Sequence, residues 1–251
     1  MTERDPVFEP RDFIRYFRSL HPAAAAEVRL PPRVVFVFGA WFHRVCSKAL
    51  QAQVVRWNPN ISLGHASGRA VAIVRTTIGA PAAAIDLEES IALGARAFIA
   101  LGACGSLHED LAIGQTVLPT AALSDEGTSK QYGGSRSAQP DARLVHRLRA
   151  ACRQRSLPVR EGPVWTTDAV YRETRSRIRG LARRGILGVE MEMSALFTVA
   201  RYRHVRLAGL LVVSDELGRG VWNPGFQDPA FRDGVRRSLP AVVDVMSGAL
   251  P

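Results

Sequence analysis

Three carboxylates stand at the ends of two apolar runs. Glu190 and Glu192 follow Gly185-Ile186-Leu187-Gly188-Val189, and Asp215 follows Leu207-Ala208-Gly209-Leu210-Leu211-Val212-Val213-Ser214. A carboxylate accepts hydrogen bonds from hydroxyls when ionised and passes on a proton when it is not. Both apolar runs read as strands, and in an open α/β sheet ligands sit at the carboxyl ends of strands. Each acid also has a plainer reading. Glu190 and Glu192 would be favoured by the helix dipole at the start of a helix over Met191–Arg203, and Asp215 would serve as the N-cap of a following turn. One acid so placed is explained equally well either way; three at two strand ends favour a ligand site.

The elements that must hold these acids follow from hydrophobic pattern and turn chemistry. A short amphipathic helix is expected over Asp12–Leu20 after Pro10, and a strand over Arg33–Phe38 that ends at Gly39 and leads into a helix over Trp41–Gln51. Strands at Gln53–Arg56 and Ala70–Arg75 are joined through Asn58-Pro59-Asn60 and Ser67-Gly68, both turn signals. After Ile78-Gly79-Ala80-Pro81 come a helix over Ala82–Leu93, a strand over Ala97–Leu101 and a glycine loop, Gly102-Ala103-Cys104-Gly105. Ser124–Pro140 is a long polar loop of the kind that is functional or mobile. A helix over Leu144–Gln154, a strand over Val159–Val164 and a helix over Tyr171–Ala182 precede the acids. A loop at Gly218–Gln227 and a C-terminal helix over Ala230–Leu250, interrupted near Pro240, follow them. Alternating strands and helices without a repeat or linker predict one α/β domain over 1–251.

Composition narrows the function classes. With 251 residues and 47% hydrophobic content the chain can bury a full core, and it has no run of apolar residues long enough to span a membrane. Met1–Pro6 lacks the pattern of a secretory signal. Cys46, Cys104 and Cys152 have neither disulfide nor metal-ligand spacing, which predicts a reducing, cytoplasmic setting and no metal. The net charge of +10 comes almost wholly from arginine, densest over 172–184. It forms no stripe interleaved with aromatics, so a nucleic-acid partner is not expected, and a basic surface also suits anionic small substrates. Ser129, Ser194 and Ser214 lie in no Gly-x-Ser-x-Gly elbow, which argues against a serine nucleophile.

Glu190-Met191-Glu192 followed by Val212-Val213-Ser214-Asp215 resembles the nucleoside phosphorylase superfamily, which holds hexameric purine nucleoside phosphorylases, uridine phosphorylases and related nucleosidases. Ile78-Gly79-Ala80-Pro81, the Gly102–Gly105 segment and Ile113-Gly114-Gln115-Thr116-Val117-Leu118-Pro119 strengthen the likeness, which runs over residues 33–215. It implies a three-layer α/β fold with a central, mostly parallel, twisted mixed sheet flanked by helices. It also implies cleavage of the N-glycosidic bond of a nucleoside, with inorganic phosphate as co-substrate, no cofactor, and a homo-oligomer (dimer or hexamer) as the working form. On this resemblance Glu192 grips the ribose hydroxyls with Glu190 assisting, and Met191 packs on the sugar. Asp215, beside Ser214, protonates a purine base, which requires a carboxyl whose proton is held toward neutrality. Trp165, followed by Thr166, stacks on the base; the other reading of Trp165 is a core residue at a strand end. The aspartate favours a purine over a pyrimidine.

The phosphate site departs from the family pattern. The family's Arg-Val-Gly-Ser/Thr is Ala100-Leu101-Gly102-Ala103 here, and its Gly-Asp-Pro-x-Arg is Gly39-Ala40-Trp41-Phe42-His43-Arg44, with the arginine one place late. Losing a bidentate arginine is costly for oxyanion binding. Candidate anion ligands are therefore the backbone at Gly39, Gly79, Gly102 and Ala103 together with Arg44, with Arg56 and Arg75 as further sources of charge. Three functions remain open on the sequence: phosphorolysis to free base and ribose 1-phosphate, hydrolysis by a water that His43 would activate, and nucleoside binding without turnover.

Overall fold

The computed structural model describes residues 6–248. The segment 1–5, read above for a leader, and Ala249 and Leu250 of the expected C-terminal helix lie outside the described residues. In chain order the elements are α1 (Pro10–Leu20), β1 (Arg33–Phe38), α2 (Ala40–Ala49), β2 (Gln53–Val55), β3 (Asn58–Ala66), β4 (Arg69–Thr76), α3 (Ala80–Ala92) and β5 (Ala97–Ser106). They continue as β6 (Thr116–Asp125), α4 (Thr128–Gln131), β7 (Ser137–Ala138), α5 (Ala142–Gln154), β8 (Val159–Thr167), α6 (Arg175–Ala182) and β9 (Gly188–Glu190). The chain closes with α7 (Met193–Tyr202), β10 (Arg206–Glu216), β11 (Asn223–Pro224) and α8 (Pro229–Ser247).

One mixed sheet connects all eleven strands. Its interior is made of two parallel arrays, β4–β1–β5–β10 on one side and β6–β8–β9 on the other, and β3 adds an antiparallel ladder to the outer edge of β4. Short antiparallel contacts join the two arrays. β10 pairs with both β5 and β6, and β9 with both β8 and β5, so β5, β10, β6, β8 and β9 close into a ring. Successive residues of the inner strands serve opposite layers, because side chains alternate across a strand. Val34, Phe36, Phe98 and Ala100 pack with α3 and α7, whereas Val35, Val37, Ile99 and Leu101 pack with α2, α5 and α8. Burial on both faces is why these strands read as unbroken apolar runs.

Four expectations need correction. Asn58-Pro59-Asn60 opens the nine-residue strand β3 instead of a turn, and β3 pairs with β4 over Ile61–Ala66. Its Gly64 lies against the carbonyl of Leu50, where a Cβ would sit at 2.4 Å. The expected glycine loop Gly102–Gly105 is the second half of β5, extended and paired with β10 as far as Ser106. Its glycines are there for close packing: a Cβ on Gly102 would lie 2.9 Å from the Phe38 ring. The polar segment 124–140 begins inside β6 and carries α4 and β7. Finally, α8 runs unbroken through Pro240. Proline removes one helical hydrogen bond; here the carbonyl left without a donor belongs to the exposed Arg236.

Candidate active site

β9 brings the first two acids to the rim of the strand ring. It is inserted between β5 and β8, and Gly188 allows this because a Cβ there would meet the Gly105 carbonyl at 3.0 Å and the Cys104 sulfur at 3.1 Å. Glu190 is buried, and both its oxygens are taken. Thr166 Oγ1 donates to Oε1 in a short bond, and the amides of Glu192 and Met193 donate to Oε2 at 2.6 and 2.7 Å. Thr166 Oγ1 in turn accepts the Ser194 amide at 2.9 Å. Glu190 therefore binds the amino end of α7, as the helix-dipole reading of this acid expects.

Glu192 turns the other way. Its Oε1 accepts the Gly79 amide at 2.7 Å, at the amino end of α3. Burial, followed by the charge of Glu190, pushes the Glu192 carboxyl up, and the Gly79 amide partly offsets this. Burial also pushes Glu190 up against the opposing bonds from Thr166 and the two amides. Met191, between them, is half-buried, while Met193 is fully buried with its sulfur against Gly209. A third acid not expected from the sequence, Glu126, lies beneath. Burial pushes it up, but bonds from Ser129, Ser124 and Ser194 outweigh that and hold it below the usual range.

Asp215 arrives from the other side of β5. It stands opposite Gly105, and Gly105 stands opposite Val189, the residue before Glu190. Ser214 Oγ donates to Asp215 Oδ1 at 2.7 Å, and the indole Nε1 of Trp222 donates to Oδ2 at 3.0 Å. Glu173, just after a turn of 3-10 helix at Val170–Arg172, has its carboxyl pushed up to about 7 by burial and then by the charge of Asp215.

The candidate anion ligands divide. Gly39 and Gly79 have positive φ, +88° and +111°, and cap the amino ends of α2 and α3; an L side chain there would be strained. Gly39 and Ala40 line a cavity of about 550 Å³ with Asn60, Arg75, Thr76, Thr77 and Ile78. Arg75 reaches it from β4, and its Nε (3.0 Å) and Nη2 both donate to Asn60 Oδ1. Arg44 is exposed on α2 and does not line this cavity. Gly102 and Ala103 lie in a paired strand and do not form the backbone nest expected of a loop. His43 is buried, its Nε2 3.2 Å from Ser62 Oγ, and burial followed by the charge of Arg75 holds its pKa down. Its one side-chain partner among the hydrogen bonds of the described residues is Ser62 of β3.

Trp165 departs from the stacking role expected of it. It is 1% exposed, packed among Leu107, Ile178, Leu181, Ile186, Val189 and Leu217. Its indole Nε1 donates to Asp125 Oδ2 at 3.2 Å, and Arg177 lies over its ring at 4.8 Å and also pairs with Asp125. This tryptophan offers no free face to a ligand. Glu126, Glu173 and Trp222 were not singled out as site residues in the sequence, and Arg75 was named there only beside Arg44 and Arg56 as a further source of charge. Only Trp222 carried a signal, as an aromatic in a loop just after Asp215.

Comparison with known proteins agrees with this geometry. The family model of the phosphorylase superfamily matches residues 43–243. The DeoD-type purine nucleoside phosphorylase of Myxococcus xanthus is 35% identical over 160 residues, covering 62% of this chain and 67% of that protein. The guanosine phosphorylase of Halorubrum lacusprofundi is 31% identical over 180 residues, covering 70% and 75%. Among solved structures, uridine phosphorylase from Vibrio fischeri superposes with a TM-score of 0.74 at 26% identity, covering 87% of this chain and 92% of that one. With its carboxylates at the rim of a mixed sheet between helical layers, the chain belongs to the phosphorylase superfamily and is an enzyme of its nucleoside phosphorylase, pentosyltransferase type, a type that uses phosphate as co-substrate and needs no cofactor.

Proposed function

We propose that this enzyme cleaves the N-glycosidic bond of a purine nucleoside by phosphorolysis, giving free base and ribose 1-phosphate. The observation that carries the reading is the placement of Asp215 and Glu192 on opposite sides of β5 at one rim of the sheet. Glu192, fixed by Gly79, accepts hydrogen bonds from the ribose hydroxyls. Asp215, oriented by Ser214, gives its proton to N7 as the glycosidic electrons move onto the base. Phosphate attacks C1′ from the opposite face, and the positive charge on the sugar is relieved as that bond forms.

Arg75 supplies the cationic ligand for phosphate that Ala100 and the displaced Arg44 do not. It is half-buried, fixed by Asn60, and shares its cavity with the amino end of α2, which favours an oxyanion, and with Asp86, whose carboxyl burial pushes up toward the neutral form. The engagement of His43 with Ser62 speaks against hydrolysis. A homo-oligomer belongs to the same reading, as does a cytoplasmic setting, supported by three free and buried cysteines. The test is base release from a nucleoside panel with and without phosphate, scoring free ribose against ribose 1-phosphate. Strict phosphate dependence with purine nucleosides is expected; phosphate-independent release of ribose would replace this reading with hydrolysis.

A further inference from the structure

The loop after β10 folds straight back over its own catalytic strand. Leu217 N donates to the Ser106 carbonyl at 2.9 Å, Gly220 N to the Leu217 carbonyl at 2.8 Å, and Gly225 N to the Ser214 carbonyl at 2.9 Å. Arg175 Nε donates to the Gly220 carbonyl at 2.7 Å, and Asn223 Nδ2 donates to Glu216 Oε2 at 3.0 Å. β11 completes the fold-back by setting Pro224 opposite Asp215 and Asn223 opposite Glu216. Gly218 packs against the backbone of His108 and Glu109 so closely that a Cβ would lie 2.8 Å from the His108 carbonyl carbon. The backbone of this hairpin is tied at both ends, yet its apolar side chains stay in solvent: Val221, Trp222 and Phe226 are 69, 59 and 50% exposed.

Trp222 stands out among them because its indole N–H is already on the Oδ2 of Asp215. A carboxyl oxygen has two lone-pair sites, so Trp222 can hold one while a base engages the carboxyl beside it. Two flat groups bonded side by side to one carboxyl can stack face to face. Meanwhile Trp165, the aromatic at the position expected to stack, is sealed under Arg177. We propose that Trp222 is the aromatic platform on which the nucleoside base stacks, and that its indole N–H, with the Ser214 hydroxyl, sets the plane of the Asp215 carboxyl for proton transfer to that base.

This rests on the nucleoside reading of the site, and the two can be tested apart. Trp222 is exposed, so substitution there leaves the core intact. Trp222→Phe keeps a stacking face and loses the N–H; we expect KM for the nucleoside within about twofold of the parent and kcat lowered about tenfold or more, the scale of one hydrogen bond to a charged group. Trp222→Ala loses both, and KM should rise about tenfold as well, the scale of one base–aromatic stack. In titrations of the unaltered protein with a purine nucleoside and no phosphate, tryptophan emission should change. The change should vanish in Trp222→Phe while equilibrium dialysis still shows binding. An emission change that survives in Trp222→Phe, or unaltered kcat and KM in both variants of an active enzyme, overturns the proposal while leaving nucleoside cleavage standing. Parent protein that neither binds nor cleaves any nucleoside overturns both. A shift of Trp222→Ala to a smaller species on size exclusion would make this hydrophobic rim a contact between copies of the chain and overturns the stacking role.

Discussion

Glu192 Oε1 accepts the amide of Gly79 at 2.7 Å, joining the end of β9 to the amino end of α3. That single bond links two segments far apart in the chain into one corner, the one proposed to hold the sugar. It also fixes the direction of the only acid in the Glu190-Met191-Glu192 triplet not bound to α7.

Replacing Glu192 should therefore be severe. Glu192→Ala is expected to lose most activity with any ribonucleoside, and a variant with normal kcat/KM would remove the ribose-grip assignment. Because burial and Glu190 push the Glu192 carboxyl up, the ionised form that accepts ribose hydroxyls gains ground as pH rises. Nucleoside KM should fall as pH rises from the usual carboxylate range toward neutrality and above, and this dependence should flatten in Glu192→Gln.

The same shift has a sign for stability. Glu190 and Glu192 both hold protons more tightly folded than unfolded. Between the usual carboxylate range and their raised values the native state binds more protons, so their contribution is full below that window and is lost as pH rises through it. Denaturant midpoints of Glu192→Gln should fall less steeply over this window than those of the parent. Equal slopes would show that Glu192 is not a source of the loss.

Arg75→Gln is expected to raise KM for phosphate about tenfold or more, the scale of a charge-assisted contact, with nucleoside binding in the absence of phosphate little changed. Initial rates at varied phosphate decide this, and an unchanged phosphate KM would return the search to Arg44 and Arg56.

Trp165→Ala should show up in stability, not in substrate affinity. Truncating a buried aromatic typically costs about 3–5 kcal/mol, and this one also leaves Asp125 and Arg177 without their ring partner. Chemical denaturation should show the loss while nucleoside KM stays near the parent value. A marked rise in KM without loss of stability would restore the stacking role.

Gly105→Ala tests the register that aligns the two halves of the site. A Cβ there would sit 2.6 Å from the Leu217 side chain and 3.1 Å from Asp215 Oδ2. We expect a loss of about 1–3 kcal/mol from overpacking and a fall in kcat out of proportion to it, measured on the folded fraction.

What the sequence determined by itself was local or compositional. Unbroken apolar runs marked β1, β5 and β10, because strands buried on both faces need no polar alternation. The Glu-Met-Glu and Val-Val-Ser-Asp segments put Glu192 and Asp215 at strand ends, and the phosphorylase resemblance they carried was met by the family match. Positions decided by partners distant in the chain were not legible. Gly102 looks like a loop residue until β10 lies beside it, and Asn58-Pro59-Asn60 reads as a turn until β4 pairs with the rest of β3. The resemblance gave the stacking role to Trp165 and left Trp222 within a loop; only packing against Arg177 and Asp125 buries the first, and only the hairpin of β11 sets the second on Asp215. Likewise Arg75 was one of three arginines offered as a source of charge in the sequence, and only β3, which sets Asn60 beside it, distinguishes it from Arg44 and Arg56. Hydrophobic period and turn chemistry act over a few residues, whereas which side chain is left free to meet a ligand depends on what the fold stacks against it.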